Sequence, residues 1–352
     1  MIPPGLVAAQ TRPPPVGGAI KDGTPTDDAV PWGFTAPEAH GAAGDGATDD
    51  TAALVTTFAQ GQPVWMSARD YRITDTVTIP ASCPGVMCWG GRALFDRAHD
   101  RPAIELGSQT SSSDFVDLSG LQVIAQSQSD WSNEDSIGVR CWNSRSWFIR
   151  IVRIRGFTRG ILARPVSDGS NRAFAYGIGY LGAIENCKIG VELDSTGSNG
   201  WTNENIVLGG RFLIEAGVNT AHDRIGIYCL SSTNGYARAN NKVFVGPIFE
   251  LGAAGAAGEA VAWHQENVYN AMYGAAYRDA DVLMRRDGTP DGTGSHGHYH
   301  LAWTGYSPAA LSSADTDRVN GAAANRGSIM GLPNLLNSGA SSNLTSCGGV
   351  IA

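Results

Sequence analysis

The sequence predicts an all-β fold wound as a coil of stacked turns. Three observations carry that expectation. Glycine supplies 45 of 352 residues while only 16% are charged, a balance that suits turn-rich β structure better than helical bundles. Four short segments share one pattern: IGVRC (137–141), RGILA (159–163), IGVEL (189–193) and IGIYC (225–229), with glycines at 138, 160, 190 and 226 and spacings of 22, 30 and 36. A longer echo relates residues 188–212 to 224–248, aligning Gly200-Trp201 with Gly235-Tyr236, Asn205 with Asn241 and Gly210 with Gly246, the second copy running about one residue longer. Self-similarity of this kind marks stacked units that bury their apolar faces only against neighbours. The uneven spacing places loops of different length between equivalent strands. An immunoglobulin-like sandwich gives no such signature.

The elements follow in order. Residues 1 to about 37 are rich in Pro, Gly and Ala with little periodicity and read as an extended arm rather than part of a core. The stretch HGAAGDGATDDTAAL (40–54) invites a metal or phosphate reading and fails both. Counted from Asp45, an EF-hand needs Gly sixth and Glu twelfth, but Asp50 and Thr56 stand there. A phosphate loop ends in Gly-Lys-Ser/Thr, and this stretch has no Lys. What remains is a turn followed by TAALVTTFAQ, a helix with Leu54 and Phe58 at core spacing, whose first free N–H groups Asp49 or Asp50 accepts. The following segment alternates, so that Tyr71, Ile73, Val77 and Ile79 read as strand.

In the repeats, alternation sends Val139/Cys141, Ile161/Ala163, Val191/Leu193 and Ile227/Cys229 inward. Arg140, Leu162, Glu192 and Tyr228, one step off, then face outward. In SWFIRIVRIRGFTRG the apolar phase runs Ile149, Ile151 and then Val152, Ile154, as where one strand turns a corner into the next. Beyond about residue 287 the chain is turn-rich, and no fold is read there.

The net charge of -8 argues against a nucleic-acid binder, which needs a basic footprint. No run of about 18 apolar residues predicts a membrane span, and the N-terminus lacks the basic start and apolar core of a secretory signal. Cysteines 83, 88, 141, 187, 229 and 347 form no CxxC pair; they read as buried free thiols of a chain made in a reducing cytosol. No cofactor is expected.

At AAGDGATDDTAAL, followed by VWMSARDYRITDTVTIP, the chain resembles the pectate-lyase-like β-helix family of viral tailspikes. These often open on Gly-Asp-Gly-x-x-Asp-Asp-Thr, a capping α-helix and a Gly-x-Tyr strand. Here Ala68-Arg69-Asp70 replaces the usual Pro-x-Gly before Tyr71. NGWTNENIVLGGR (199–211) also resembles a segment recurrent in such spikes. The resemblance covers roughly residues 35 to 250. It implies a right-handed single-stranded parallel β-helix with a short N-terminal capping α-helix, standing side by side as a homotrimer. The implied division is a particle-attachment arm over 1–37, a β-helix over 38–287 and a turn-rich capping or trimer segment over 288–352. It further implies a virion protein that contacts host cell-surface polysaccharide, with or without cleaving it. Family members put their active carboxylates in different places, so no catalytic residue is carried over.

Candidate site residues come from side-chain chemistry. Glu192 and Asp194 are two apart on a strand, roughly 6.5–7 Å between Cα atoms, and Glu204 lies in the adjacent loop beside Trp201. Paired carboxyls at such distances serve glycoside hydrolysis, so the trio is either an acid/base site or a solvated acidic face. Trp147, Trp201 and Tyr236, with Trp142, sit in or beside polar turns; such rings cover the C–H face of a sugar or pack against a neighbouring chain. Arg150, Arg153 and Arg155 suit an anionic glycan through charge-assisted hydrogen bonds, or pair with acids of adjacent coils. His296, His298 and His300 line one side of a strand, as weak metal candidates near a trimer axis or a plain polar strand. The functional expectation is a glycan-recognising spike, attached through residues 1–37. The alternatives are a stand-alone polysaccharide lyase or glycoside hydrolase, and a structural adaptor.

Overall fold

A computed structural model describes residues 30–31, 33–110, 116–166, 172–196, 200–231, 238–252, 258–266, 268–274, 277–279, 282–287, 300–301 and 328–329. Among these the chain winds into a parallel β-helix. One face is an eight-stranded sheet, one strand per coil, over Val77–Ile79, Pro102–Leu106, Ile137–Cys141, Arg159–Ala163, Ile189–Ser195, Arg224–Ser231, Ala260–Glu266 and Val282–Asp287; we call it the repeat face. A thirteen-stranded long face runs from Asp45–Asp49 through Val116–Ala125, Trp147–Arg155, Ile178–Glu185, Ile206–Leu213 and Asn240–Val245 to Tyr277–Asp279. A short face of three strands, Ser144–Arg145, Arg172–Ala175 and Gly200–Trp201, joins them. The pairings among the coils are parallel and in register, except where Asp45–Asp49 meets Asp70–Ile73 and Val116–Ala125 meets Trp147–Arg155, at which the register shifts.

The repeated glycines stack. Ile137, Arg159, Ile189 and Ile225 pair in series, as do Val139, Ile161, Val191 and Ile227, so Gly138, Gly160, Gly190 and Gly226 form one column, with Ala103 below and Ala262 above. Space, not backbone conformation, demands the small residue. A methyl on Gly190 would overlap the Phe212 ring and lie 2.6 Å from the Gly226 carbonyl oxygen; on Gly160 it would lie 2.5 Å from the Gly190 carbonyl oxygen and 2.8 Å from Ile184. Rings from the opposite face fill the place a Cβ would take, and Phe212 stacks on Phe249 at 5.2 Å.

Corners repeat as well. The long strands bend where the residue opposite is skipped: Ile151 pairs Leu181 and Arg153 pairs Ala183. Gly182 stands at that step, and a methyl there would collide with the Val152 carbonyl. Gly120 bends the preceding coil at φ 88 and Gly210 the following one at φ 102. The phase shift in the arginine-rich strand is therefore a corner, with one correction: Val152 is exposed at 39% rather than inward. A second column of corners, between the short and long faces, uses Ser146, Tyr176, Glu204 and Asn241, all with φ between 49 and 58.

The N-terminal acidic stretch closes the coil. Helix Thr51–Phe58 buries Leu54 and Phe58. Asp49 accepts the Thr51 N–H at 3.1 Å and the Thr74 hydroxyl at 2.6 Å. Asp50, although at the N-cap position, turns back to accept the Ala43 and Gly44 N–H groups at 2.7 and 3.1 Å; burial raises its pKa despite those bonds. Asp45 accepts the Ala47 and Thr48 N–H groups. Arg69, in the departure from the family motif, bridges Glu38 at 3.3 Å, and Glu38 also accepts the buried Tyr71 hydroxyl at 2.7 Å. Of the six cysteines expected to be buried free thiols, Cys83, Cys88, Cys141, Cys187 and Cys229 are so, and Cys347 lies outside the described residues; burial pushes Cys88, Cys141 and Cys187 up to about 12. Among the described residues no helix is long and apolar enough to cross a membrane.

The long echo is real, with a different alignment. Ile189 opposes Ile225, an offset of 36, but Ile206 opposes Val243, an offset of 37. The extra residue thus falls before Ile206. Asn205 meets Lys242 rather than Asn241, and Gly246 stands opposite Gly209 rather than Gly210. The correction exposes an unexpected core residue. Lys242 is fully buried and donates to the Thr202 carbonyl at 2.6 Å. Burial penalises its charged form and lowers its pKa from 10.5 to about 8. Between pH 8 and 10.5 the unfolded chain then binds more protons at this lysine than the folded chain, so folding stability rises with pH in that window. Thermal melts of the wild type against Lys242→Met are expected to show the wild type gaining on the variant from pH 8 to 10.5; parallel curves would exclude the shift.

Candidate functional site

Outward positions on the repeat face align coil by coil into two rows. One runs Glu105, Arg140, Leu162, Glu192, Tyr228, His264; the other carries Trp142, Arg164, Asp194, Leu230 and Glu266. The sequence places Glu192 and Asp194 outward, and outward they are, but the expected solvated carboxylates are corrected: both are only 1% exposed. Arg159 Nε lies 2.5 Å from Glu192 and its Nη2 lies 2.9 Å from Glu134. Arg164 pairs with Asp194 and reaches Glu192 at 3.6 Å. Lys188 closes on Glu134 at 2.7 Å. Burial raises the Glu192 pKa, and the two arginines oppose that shift. Leu162, expected to face solvent, is covered at 1% exposure between these side chains. Farther up, Tyr228 stacks on His264 at 4.3 Å and donates to Glu266 at 2.9 Å.

Glu204 stands elsewhere. It is exposed at a corner, φ 56, and its N–H donates to the Asn240 carbonyl at 3.1 Å. It shares no hydrogen bond or ion pair with Glu192 or Asp194 among the described residues. Glu192 and Asp194 sit together on the repeat face, held by arginines, and Glu204 stands on the corner beyond the short face, so the three are divided between two places on the coil.

The predicted aromatic residues separate into core and surface. Trp147 is corrected from sugar ligand to core: it is 5% exposed and stacks on Phe174 at 4.5 Å. Gly177 gives it room, since a methyl there would overlap the indole. Trp142 is 2% exposed beneath the Arg140 guanidinium, 3.8 Å from its ring centroid. Trp201, half-buried, meets Tyr176 edge to face at 5.5 Å, and Tyr176 is 50% exposed. The sequence reading missed Tyr176; its signal was a tyrosine before Gly177 at a repeated corner. Tyr236, His296 and His298 lie outside the described residues, as does the side chain of His300, whose backbone pairs with Ser328.

The basic row is mostly neutralised. Arg153 binds Glu185 at 2.5 Å, and Arg155 binds Glu215 at 3.0 Å and Glu185 at 3.8 Å. The acids come from the next two coils, the pairing alternative raised by the sequence. Arg150 is exposed with no ion pair among the described residues. It adjoins an outward apolar ladder of Phe148, Ile178, Ile206 and Val243, beside Tyr180, Leu208 and Val245. Ile178, Tyr180, Ile206 and Val245 are 37–46% exposed. Among the described residues no group of three or more His, Cys, Asp or Glu side chains is placed to hold a metal ion.

Removing one member of the buried ion cluster leaves a charge without its partner, which costs about 3–5 kcal/mol. Glu192→Ala is expected to lose that much in urea unfolding; a loss below about 1 kcal/mol would show that Arg159 re-pairs without cost.

No family model matches the chain, and no curated protein matches it. Among solved structures it is similar to ORF18 of Geobacillus virus E2, at 13% identity over 77% of this chain and 62% of that one, with a TM-score of 0.37. It is similar to the Streptococcus pneumoniae surface protein and adhesin PfbA, at 11% identity over 77% of this chain and 96% of that one, TM-score 0.29. It is also similar to the catalytic unit of a thermostable GH87 α-1,3-glucanase from Streptomyces thermodiastaticus, at 12% identity over 79% of this chain and 70% of that one, TM-score 0.25. The chain spans 62% of the length of the viral protein.

Proposed function

We propose that this chain is a glycan-binding β-helical spike of a phage or phage-like particle, attached through residues 1–37 and directed at host surface polysaccharide. The observation that carries the reading is the Tyr176–Trp201 pair. Two rings meet at 5.5 Å and 77° on a solvent-facing corner, one of them 50% exposed. Tyr176 holds φ 58, and Glu204 on the next coil of the same corner holds φ 56. Side chains fixed in a sparsely populated backbone region are a feature of binding sites. A flat apolar ring with polar groups at its rim suits a sugar, which has a C–H face and hydroxyl edges. Binding is favoured over cleavage because Glu192 and Asp194 are engaged by arginines, leaving Glu204 as the exposed carboxylate of the three.

Side-by-side trimers are part of the same reading. The apolar ladder on the long face supports it, since contiguous exposed apolar side chains mark interaction surfaces. Light scattering on the full chain is expected to give three chain masses; a stable monomer would contradict the spike.

The binding claim is tested on capsular polysaccharides of candidate hosts. Trp201→Ala is expected to weaken binding about tenfold, the loss of one aromatic contact worth about 1.4 kcal/mol, with the thermal midpoint unchanged. Equal binding by wild type and variant would remove the corner from the site. Release of reducing ends that survives Glu204→Gln would show a depolymerase that uses other residues.

A further inference from the structure

Among the described residues, Arg140 is an outward arginine of the repeat face that the ion cluster does not use. Arg159 and Arg164 are each bound to carboxylates. Arg140, one coil below Leu162 in the same outward row, has no ion pair or hydrogen bond among the described residues. Its guanidinium lies over the Trp142 indole at 3.8 Å, and its buried Nε finds no acceptor. Glu105 stands opposite it on the coil below, yet the two form no ion pair among the described residues. Arg164 is its diagonal neighbour on the coil above, at roughly 7–8 Å by strand geometry.

This is a cation held ready. Stacking on Trp142 covers one face of the planar fork and fixes its orientation. The terminal nitrogens keep a free edge, the shape that receives a carboxylate through two parallel hydrogen bonds. Burial and the nearby Arg164 both disfavour the charged form of Arg140, while Glu105 and Asp135 favour it. A bound anion would relieve that cost. The neighbouring Glu192 and Asp194 do not compete, because Arg159 and Arg164 already neutralise them.

We propose that Arg140, oriented by Trp142, is a subsite for the carboxylate of an acidic sugar, so that the glycan recognised is a hexuronate-containing polysaccharide. This rests on the glycan-binding reading and names its substrate class. It also moves the anionic contact from the Arg150–Arg155 row, where two of the three arginines are already paired, to the repeat face.

The test measures binding of oligomers of galacturonate, mannuronate and glucuronate by calorimetry, with maltotetraose and a neutral host glycan as controls. Wild type is expected to bind at least one acidic oligomer, and more weakly as salt is raised. Arg140→Gln is expected to lose roughly 10- to 100-fold in that affinity, the range for a hydrogen bond to a charged group, and to lose its salt dependence. Arg140→Lys, which keeps charge but not the fork, should recover only part of it. Circular dichroism and thermal midpoint check that the variants fold. Acidic oligomers bound equally by wild type and Arg140→Gln, or not bound at all by wild type, would overturn the subsite. A neutral glycan that still binds and still depends on Trp201 would leave the broader reading standing; loss of both would end both.

Discussion

The close approach of backbone to backbone along one column of small residues sets this structure. At Gly138, Gly160, Gly190 and Gly226 the space of a side chain is taken by the carbonyl of the next coil and by a ring or branched chain from the opposite face. Each coil is thereby fixed in height against its neighbour and in register across the interior. A larger residue would have to push away either a backbone carbonyl or a packed Phe, and neither yields cheaply in an interior packed to crystal density.

Register has chemical consequences on the outside. Once the inward positions are fixed, outward side chains stack in rows with strand spacing of about 4.8 Å, so surface chemistry becomes a matter of vertical neighbours. Arg155 meets Glu185 and Arg164 meets Asp194 through this geometry, while Arg153 reaches Glu185 and Arg159 reaches Glu192 from positions that are not directly opposite. The same rule gathers Phe148, Ile178 and Ile206 into an apolar ladder. Arg140 stands out because its vertical neighbours, Glu105 and Leu162, give it no ion pair among the described residues, and it rests on the Trp142 ring instead. Corners follow the rule too: the positive-φ residues stack, and Tyr176 and Glu204 come together although 28 positions separate them.

Much of this was legible in the sequence, because a coil repeats its local rules. The four glycine segments gave the inward rows correctly, and the Asp-rich stretch marked the first coil and its helix. The burial of outward side chains was not legible. Alternation says which way Glu192 points; it does not say that arginines 30 and 33 residues away along the chain fold over these carboxylates. Trp147 was misassigned for a related reason: polar turns flank it, while Gly177, on the next coil, opens the space into which the indole packs. Lys242 went unnoticed because a one-residue slip in the echo paired Asn205 with Asn241, hiding a lysine at an inward position.

The glycine column is most directly tested by Gly190→Ala. Urea unfolding is expected to show a loss of about 1–3 kcal/mol or more, the cost of overpacking a filled core, and Phe212→Leu in the same chain should recover part of it by vacating the overlapped space. Stability equal to wild type, with no interaction between the two substitutions, would contradict the claim that this column sets how the coils stack.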